Sequence, residues 1–189
     1  TRNLIIMLSK FKSFFQPTVK EKVSVDQFNA ADLDHQGVTY RLRRLRSADL
    51  DQLMAIQRDV YQGQAPWNRL VFLNEVNKRG RHLYVGLFTP ADELIGFIGA
   101  WYNDLELHIT NVAIRQRWQN SGLGKQLMLF MINQARQANC SIVTLEAKVS
   151  NAQAQHLYHQ LGFVDRKIKK NYYTADHEDA VSMALLLVD

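Results

Sequence analysis

The turn formed by residues 119–125 constrains the fold more than any other segment of the chain. It follows an apolar, strand-like run over residues 105–114 and opens a run with helical spacing. The first amides of a helix lack partners and lie at the positive end of its dipole. Because Gly122 and Gly124 let a ligand approach the backbone, this order of elements creates a site that suits a pyrophosphate.

The spacing of these glycines separates three kinds of nucleotide-binding turn. A P-loop requires four residues between its first glycine and a Gly-Lys-Ser/Thr end, and a dinucleotide-binding turn requires G-x-G-x-x-G. The chain has neither pattern, and instead shows Q-x-x-G-x-G over residues 119–124. This pattern resembles the pyrophosphate loop for acetyl-coenzyme A in the GNAT acetyltransferase superfamily. A polar turn without a ligand is the alternative that the pattern alone leaves open.

Two later segments extend the resemblance. Residues 150–163 follow the pattern S-N-x-x-A-x-x-L-Y-x-x-L-G-F, which is similar to the closing helix of the superfamily. Residues 171–173 read N-Y-Y and residues 178–185 read E-D-A-V-S-M-A-L. They resemble the narrower ending of the bacterial ribosomal-protein-alanine N-acetyltransferases. The resemblance is strong over residues 111–187, loose over 40–109 and absent before about residue 37.

The length of 189 residues and the average apolar content predict one well-buried domain. The formal charge of +5 weakly favours an anionic ligand or partner. The single cysteine, Cys140, excludes an intramolecular disulfide framework and fits a reducing compartment, so we expect a cytoplasmic protein. Cys140 precedes an apolar strand, which favours inert burial over reactivity.

Residues 1–36 are interpreted as an amphipathic extension and a polar linker, and residues 37–189 as the GNAT domain. The apolar part, residues 3–15, is too short to span a bilayer and lacks the cleavage site of a signal peptide. We expect it to pack on the domain or on a partner. Contact with a membrane surface is the alternative.

Hydrophobic periodicity and turn residues predict a mixed α/β fold with a mixed central sheet and helices on both faces. The order β-α-α-β-β-β-α-β-α-β-β is that of the GNAT acyl-CoA N-acyltransferase fold. The first strand is expected at a sheet edge, and the second helix should turn Leu70, Leu73 and Val76 inward. The predicted strands are 40–45, 82–88, 94–102, 105–114, 141–147, 163–173 and 180–188, and the helices are 50–60, 67–78, 123 to about 139, and 151–161.

Glu146 is the strongest candidate for a general base. Acetyl transfer to an amine requires a neutral nucleophile, a thioester held in line and a proton for the leaving thiolate. Pleating places Glu146 on the strand face opposite Leu145 and Ala147, where a carboxylate is unfavourable unless it has a partner or a task. The resemblance implies the role of base, acting through water. A glutamate exposed to solvent or paired with an arginine or lysine is the alternative.

Tyr158 matches the general acid of the family, which protonates the departing thiolate; simple packing is the alternative. Asn151 matches a residue that contacts the cofactor and is also an ordinary helix cap. The backbone of residues 112–114 should pair with the acetyl and pantetheine amides. The resemblance thus assigns acetyl-coenzyme A binding to Val112, Ala113, Ile114, Gln119, Asn120, Ser121, Gly122, Leu123, Gly124, Lys125, Asn151 and Tyr158.

His108 and Glu106 lie on one face of the strand that precedes the glycine turn. Imidazoles titrate near neutral pH in general, so a base that assists Glu146 is one interpretation of His108. The residues alone favour the other interpretation, a histidine on the protein surface.

Basic residues flank both ends of this region. Arg115, Arg117 and Lys125 are candidates for contacts with coenzyme A phosphates. A second basic group lies beside the final hairpin and comprises Arg166, Lys167, Lys169 and Lys170. We expect these side chains to form a solvated strand face, and a contact with the ribosome or with an acidic peptide is the alternative.

The chain lacks spaced Cys and His ligands for zinc and any pattern of an activated serine or cysteine, so we predict direct transfer without a covalent enzyme intermediate or a metal. The predicted function is acetyl-coenzyme A-dependent acetylation of a protein N-terminus, namely the N-terminal alanine of a ribosomal protein, without direct nucleic-acid binding. Alternatives are a GNAT enzyme for a polyamine, a small-molecule amine or a protein lysine, and a coenzyme A-binding regulatory module. The sequence does not indicate an oligomeric state.

Overall fold

An eight-stranded mixed sheet forms the centre of the computed structural model, which describes residues 27–61, 63, 67–174 and 177–187. The strand order is β1-β2-β3-β4-β5-β6-β8-β7, and only β5 and β6 run parallel among the described neighbours. The strands are β1 (Ala30–His35), β2 (Val38–Arg44), β3 (His82–Phe88), β4 (Leu94–Tyr102), β5 (Glu106–Ile114), β6 (Ile142–Lys148), β7 (Val164–Tyr173) and β8 (Glu178–Leu186).

Helices cover both faces of this sheet, as predicted. Side chains alternate along β3, so that Leu83 and Val85 join one core cluster while Tyr84 and Phe88 join the other. The first cluster contains α3 (Leu123–Gln137) and α4 (Ala152–Gln160), and the second contains α1 (Leu50–Val60) and α2 (Arg69–Asn77). The mixed α/β fold is therefore confirmed. Among the described residues, no helix has the length and apolar character needed to cross a membrane.

Part of the predicted linker forms a strand, β1. It pairs antiparallel with β2, from Ala30 opposite Arg43 to His35 opposite Val38. The prediction that the linker reaches residue 36 is therefore wrong for residues 30–35, and β2 is an inner strand rather than an edge strand. The hairpin turn uses Gln36 and Gly37, both with positive φ, which is the geometry of a tight two-residue turn. The predicted amphipathic segment lies outside the described residues.

Helix α2 differs from its predicted orientation. Asn68 caps it by accepting a 3.0 Å hydrogen bond from the Val71 amide, so the helix begins at Arg69. Phe72 and Val76 are the residues buried against the sheet, whereas Leu70 is 63% exposed. The prediction that Leu70 points inward is therefore wrong.

A β-bulge ends the contact between the two parallel strands. Gly99 of β4 lies opposite Asn111, but the next residue lies opposite Ile109, so Thr110 is an extra residue in β5. A Cβ at Gly99 would lie 2.3 Å from the ring of Tyr84, whose hydroxyl is 2.8 Å from the Thr110 hydroxyl. Within the described range 67–174, the β5–β6 ladder stops at the Ile109–Leu145 pair, just before the bulge. The strands separate beyond it.

An ion pair joins β2 to the start of α1. The Arg43 guanidinium donates hydrogen bonds of 2.8 and 2.9 Å to the two carboxylate oxygens of Asp49 and lies over the Phe88 ring. Asp49 also accepts a 2.8 Å hydrogen bond from the Arg46 amide and is only 5% exposed. This carboxylate therefore fixes the first helix on the sheet.

Replacing Asp49 with Asn leaves the half-buried Arg43 without its counter-charge. We expect Asp49→Asn to lower the free energy of unfolding by about 3 kcal/mol, measured by urea denaturation. Asp51→Asn is the matched control, since Asp51 forms an exposed ion pair with Arg69 whose loss should change stability by less than about 1 kcal/mol. Equal effects of the two substitutions would contradict the anchoring role.

Candidate active site

The glycine turn is a pre-shaped loop at the start of α3. Gly122 is the N-cap residue and has a φ of 85°, a left-handed conformation that favours glycine. Side chains fix the loop from both ends: the Gln119 side chain donates to the Ile114 carbonyl at 2.9 Å, and Asn120 accepts from Gln153 of α4 at 2.7 Å. The loop therefore joins β5, α3 and α4.

The loop has features that suit a bound pyrophosphate. The Leu123 side chain is buried in the core, so only its backbone is available to a ligand. A Cβ at Gly124 would meet no neighbour closer than 3.8 Å, so the packing of the protein does not itself require glycine there. Its missing side chain leaves room for a ligand, while Lys125 is exposed in the first helical turn.

The separation of β5 from β6 leaves backbone groups open beside this loop. Past the bulge, β5 keeps its pairing with β4 but no longer pairs with β6, while β6 continues along β8 with Glu146 opposite Ser182. Val112, Ala113 and Ile114 belong to that part of β5. An extended ligand fits along such an open strand, as the predicted pairing with pantetheine amides requires.

Glu146 is the first residue of β6 beyond the ladder with β5, and its side chain is only 7% exposed. One carboxylate oxygen, Oε2, lies 3.1 Å from His108 Nε2, and the other, Oε1, accepts a 2.5 Å hydrogen bond from Lys169 Nζ. Burial acts to raise the pKa of Glu146, but the hydrogen bonds from His108 and Lys169 outweigh it and lower the pKa to about 2. The carboxylate is therefore paired and ionised.

His108 is enclosed, so the prediction of a surface histidine is wrong. Its side chain is 14% exposed and stacks on Trp101 with ring centroids 5.0 Å apart. Its Nδ1 lies 2.6 Å from the hydroxyl of Thr144, the residue opposite it in the β5–β6 ladder. The pairing of β5 with β6 brings His108 and Thr144 together. The sequence prediction missed this because the alternation of side chains along one strand does not reveal which strand is its neighbour.

Contacts on both sides of its ring orient His108. The Thr144 hydroxyl, which contacts Nδ1, also donates a hydrogen bond to Glu106. On the other side of the ring, Nε2 faces the Glu146 carboxylate. Residues of both β5 and β6 therefore hold the imidazole in place.

Tyr158 lies in α4 and is 7% exposed. Burial raises its pKa to about 12, with a smaller contribution from Tyr61 at the end of α1. Burial and nearby Tyr172 also raise the pKa of Tyr173 in β7, and Tyr158 contributes to that shift. Tyr158 in α4 thus interacts electrostatically with Tyr61 after α1 and with Tyr173 in β7. The sequence analysis did not single out Tyr61, because it follows a helix far from Tyr158 in the chain.

Asn151 caps α4, since its side chain accepts a 3.1 Å hydrogen bond from the Ala154 amide. This confirms the helix-cap prediction for Asn151.

Two of the three predicted phosphate ligands are paired within the protein. Arg115 donates to the Leu94 carbonyl, and Arg117 pairs with Glu93, so both side chains are held by groups at β4 and its preceding turn. Among the predicted phosphate ligands, Lys125 thus lies nearest the helix start.

The second basic group is divided by the structure. Lys169 belongs to the Glu146 cluster and Lys170 pairs with Asp179, whereas Arg166 and Lys167 are exposed, as a solvated strand face predicts.

Cys140 is buried, and burial raises the pKa of its thiol, which makes it less reactive. In the described ranges, no group of three or more His, Cys, Asp and Glu side chains is arranged to hold a metal ion.

Comparisons with known proteins match this architecture. The family model described as the acetyltransferase (GNAT) family matches residues 48–163. The ribosomal protein bS18-alanine N-acetyltransferase of Haemophilus ducreyi is 32% identical over 74% of the chain and 94% of its own length. An N-alpha-acetyltransferase of Sulfurisphaera tokodaii is 29% identical over 79% of the chain and 94% of its own length.

A solved structure has the same overall fold. The crystal structure of the ribosomal-protein-S18-alanine N-acetyltransferase from Escherichia coli superimposes with a TM-score of 0.70 and 29% sequence identity. The alignment covers 79% of the chain and 95% of that structure.

The pairing of Glu146 makes its contribution to stability depend on pH. Because the folded-state pKa, about 2, lies below the usual value of 4.5, the stabilisation is fully present above pH 4.5 and is lost as pH falls towards 2. We expect the difference in free energy of unfolding between wild type and Glu146→Gln, measured by urea denaturation, to shrink over this range. A constant difference would contradict the contacts with His108 and Lys169.

Proposed function

Since the chain belongs to the GNAT family of acetyltransferases, we propose that it transfers an acetyl group to the N-terminal alanine of a ribosomal protein. It is an acetyl-coenzyme A-dependent N-acetyltransferase, and the identity of the acceptor is the proposal. The observation that carries it is the cluster of Glu146, His108 and Lys169 at the end of the open edge of β5. The names of several relatives support a ribosomal alanine acceptor, for which the cytoplasm is the expected compartment.

The donor would lie along the open part of β5 and end at the glycine loop. The backbone of residues 112–114 holds the pantetheine portion, and the amides at the start of α3 hold the pyrophosphate. When bound, acetyl-coenzyme A supplies the electrophilic thioester. Asn120 and Gln119 act mainly by fixing the loop, since their side chains contact Gln153 and the Ile114 carbonyl.

Glu146 receives the acceptor amine as an ionised carboxylate. A carboxyl group with a pKa of about 2 attracts an ammonium but holds a proton poorly, and the His108 ring, 3.1 Å from its Oε2, is the neighbouring group that can accept the proton that the amine loses. An α-amine has a pKa near 8 and a lysine one near 10.4, a difference of about 3 kcal/mol in the free energy of deprotonation. This cluster therefore suits an α-amine better than a lysine.

Tyr158 acts as a hydrogen-bond donor to the leaving sulfur. Its phenol has a pKa of about 12 and stays protonated at neutral pH. An ordinary thiol has a pKa near 8.5, so complete transfer of the proton to a thiolate is unfavourable by about 5 kcal/mol. A hydrogen bond that strengthens as negative charge develops on sulfur lowers the barrier without that transfer.

A matched set of peptides tests the acceptor. One peptide begins with a free alanine, the second has the same sequence with a blocked N-terminus and an internal lysine, and spermidine serves as a small-molecule amine. We expect acetylation of the free α-amine by acetyl-coenzyme A, with a rate on the other two acceptors lower by about 10²-fold or more, detected by mass spectrometry. Preferred modification of the internal lysine or of spermidine would overturn the proposed acceptor.

Substitutions of the two predicted catalytic side chains should lower turnover. We expect Glu146→Gln and Tyr158→Phe each to reduce kcat by about 10²-fold, because each removes a group that acts on a moving proton or a developing charge. The control is Glu93→Gln, at an exposed ion pair with Arg117. If kcat stays at the wild-type value in both active-site variants, their catalytic assignment is wrong.

A further inference from the structure

The turn of the first hairpin touches the glycine loop. His35 Nε2 lies 2.6 Å from the Ser121 carbonyl oxygen, and the Gln36 side chain donates to the same oxygen at 3.3 Å. A Cβ at Gly122 would lie 3.2 and 3.3 Å from two atoms of the His35 ring. Both hairpin residues precede the segment that the family model matches, which starts at residue 48.

Contacts within the β1–β2 hairpin and with α3 fix its position beside the glycine loop. Its two strands pair in register along the whole of β1, and the Thr39 hydroxyl donates to Asp34 at 2.5 Å just beside the turn. At the other end of the hairpin, the Phe28 ring contacts Phe130 of α3, with centroids 5.0 Å apart. The hairpin thus packs on the same helix that the glycine loop opens.

One peptide unit connects the His35 contact to the side of the loop that faces the proposed site for acetyl-coenzyme A. The Ser121 carbonyl and the Gly122 amide belong to the same unit, and in a trans peptide these groups point in opposite directions. A carbonyl oxygen only accepts hydrogen bonds, so His35 Nε2 carries the hydrogen. Holding the carbonyl on the hairpin side directs the Gly122 amide away from the hairpin, and the hydrogen bond at oxygen polarises the unit and strengthens the amide as a donor.

We propose that His35, supported by Gln36, is a positioning residue for the pyrophosphate of acetyl-coenzyme A, because it fixes the orientation of the peptide between Ser121 and Gly122. This inference rests on the donor site described under the proposed function, and it adds the β1–β2 hairpin to that site. The Gly122 position supports it, since a side chain there would press against the His35 ring as well as strain the backbone. The contribution of His35 concerns donor binding and not the acetyl-transfer step.

Three variants separate this hydrogen bond from the general stability of the hairpin. His35→Phe keeps a ring but has no N–H, His35→Gln keeps an N–H at similar reach, and Thr39→Val weakens the hairpin without touching the loop. Titration of coenzyme A by calorimetry should give a Kd about tenfold weaker in His35→Phe, as the loss of one hydrogen bond implies. His35→Gln should recover most of the affinity, and Thr39→Val should lose much less affinity than His35→Phe does.

An acetyl donor that lacks the pyrophosphate provides a more specific test of the role of His35. With acetyl-coenzyme A, kcat/KM should fall about tenfold in His35→Phe through KM, whereas with S-acetylpantetheine the variant should match the wild type. The ratio between the two donors comes from one preparation, so it does not depend on the fraction of folded protein. Equal penalties for both donors, or no penalty for either, would overturn the proposal.

The test is independent of the acceptor. Coenzyme A binding is measured without any amine, and the donor ratio is measured with whichever amine the wild type acetylates. A wrong acceptor assignment would therefore leave the expected effect of His35→Phe in place. An unchanged Kd for coenzyme A in His35→Phe would overturn the role of His35 and leave the acceptor proposal standing.

Discussion

The rest of the site depends on the point where β5 and β6 stop pairing. The bulge at Thr110 shifts the register of β5, and the parallel ladder ends at Ile109 and Leu145. Beyond that point the edge of β5 that faces β6 is unpaired as far as the glycine loop, and Glu146 is the first residue of β6 beyond the ladder. One irregularity in the sheet therefore opens the strand edge proposed for the donor and places the proposed base beside it.

The electrostatics of the cluster explain why a carboxylate is stable at this position. Glu146 is nearly enclosed, and an unpaired charge there would be strongly unfavourable. Lys169 and His108 bind its two oxygens, while Glu106 and Thr144 support the far side of the imidazole. The pairing that stabilises the charge also weakens Glu146 as a proton acceptor, which is why the proposed mechanism includes His108 and an amine that is already partly neutral.

The sequence predicted the parts of the site that lie within single local patterns. The glycine turn follows a strand and opens a helix, and Glu146 interrupts an apolar strand, so both could be recognised from their neighbours in the chain. The enclosure of His108 and the pairing of Lys169 depend on strand order, because β5, β6 and β7 are brought together by the fold. Strand β1 escaped prediction because Leu33 is its only large apolar residue, and its pairing depends on the turn at Gln36 and Gly37.

In the proposed reaction, the acceptor amine and the donor sulfur meet between Glu146 and Tyr158. A crystal structure with a conjugate of coenzyme A and an alanine-starting peptide measures this directly. We expect the alanine nitrogen to lie within hydrogen-bond distance of the Glu146 carboxylate, about 3 Å, or one water away, and the sulfur to lie at a similar distance from the Tyr158 hydroxyl. A nitrogen placed out of reach of Glu146, with the conjugate well bound at the glycine loop, would contradict it.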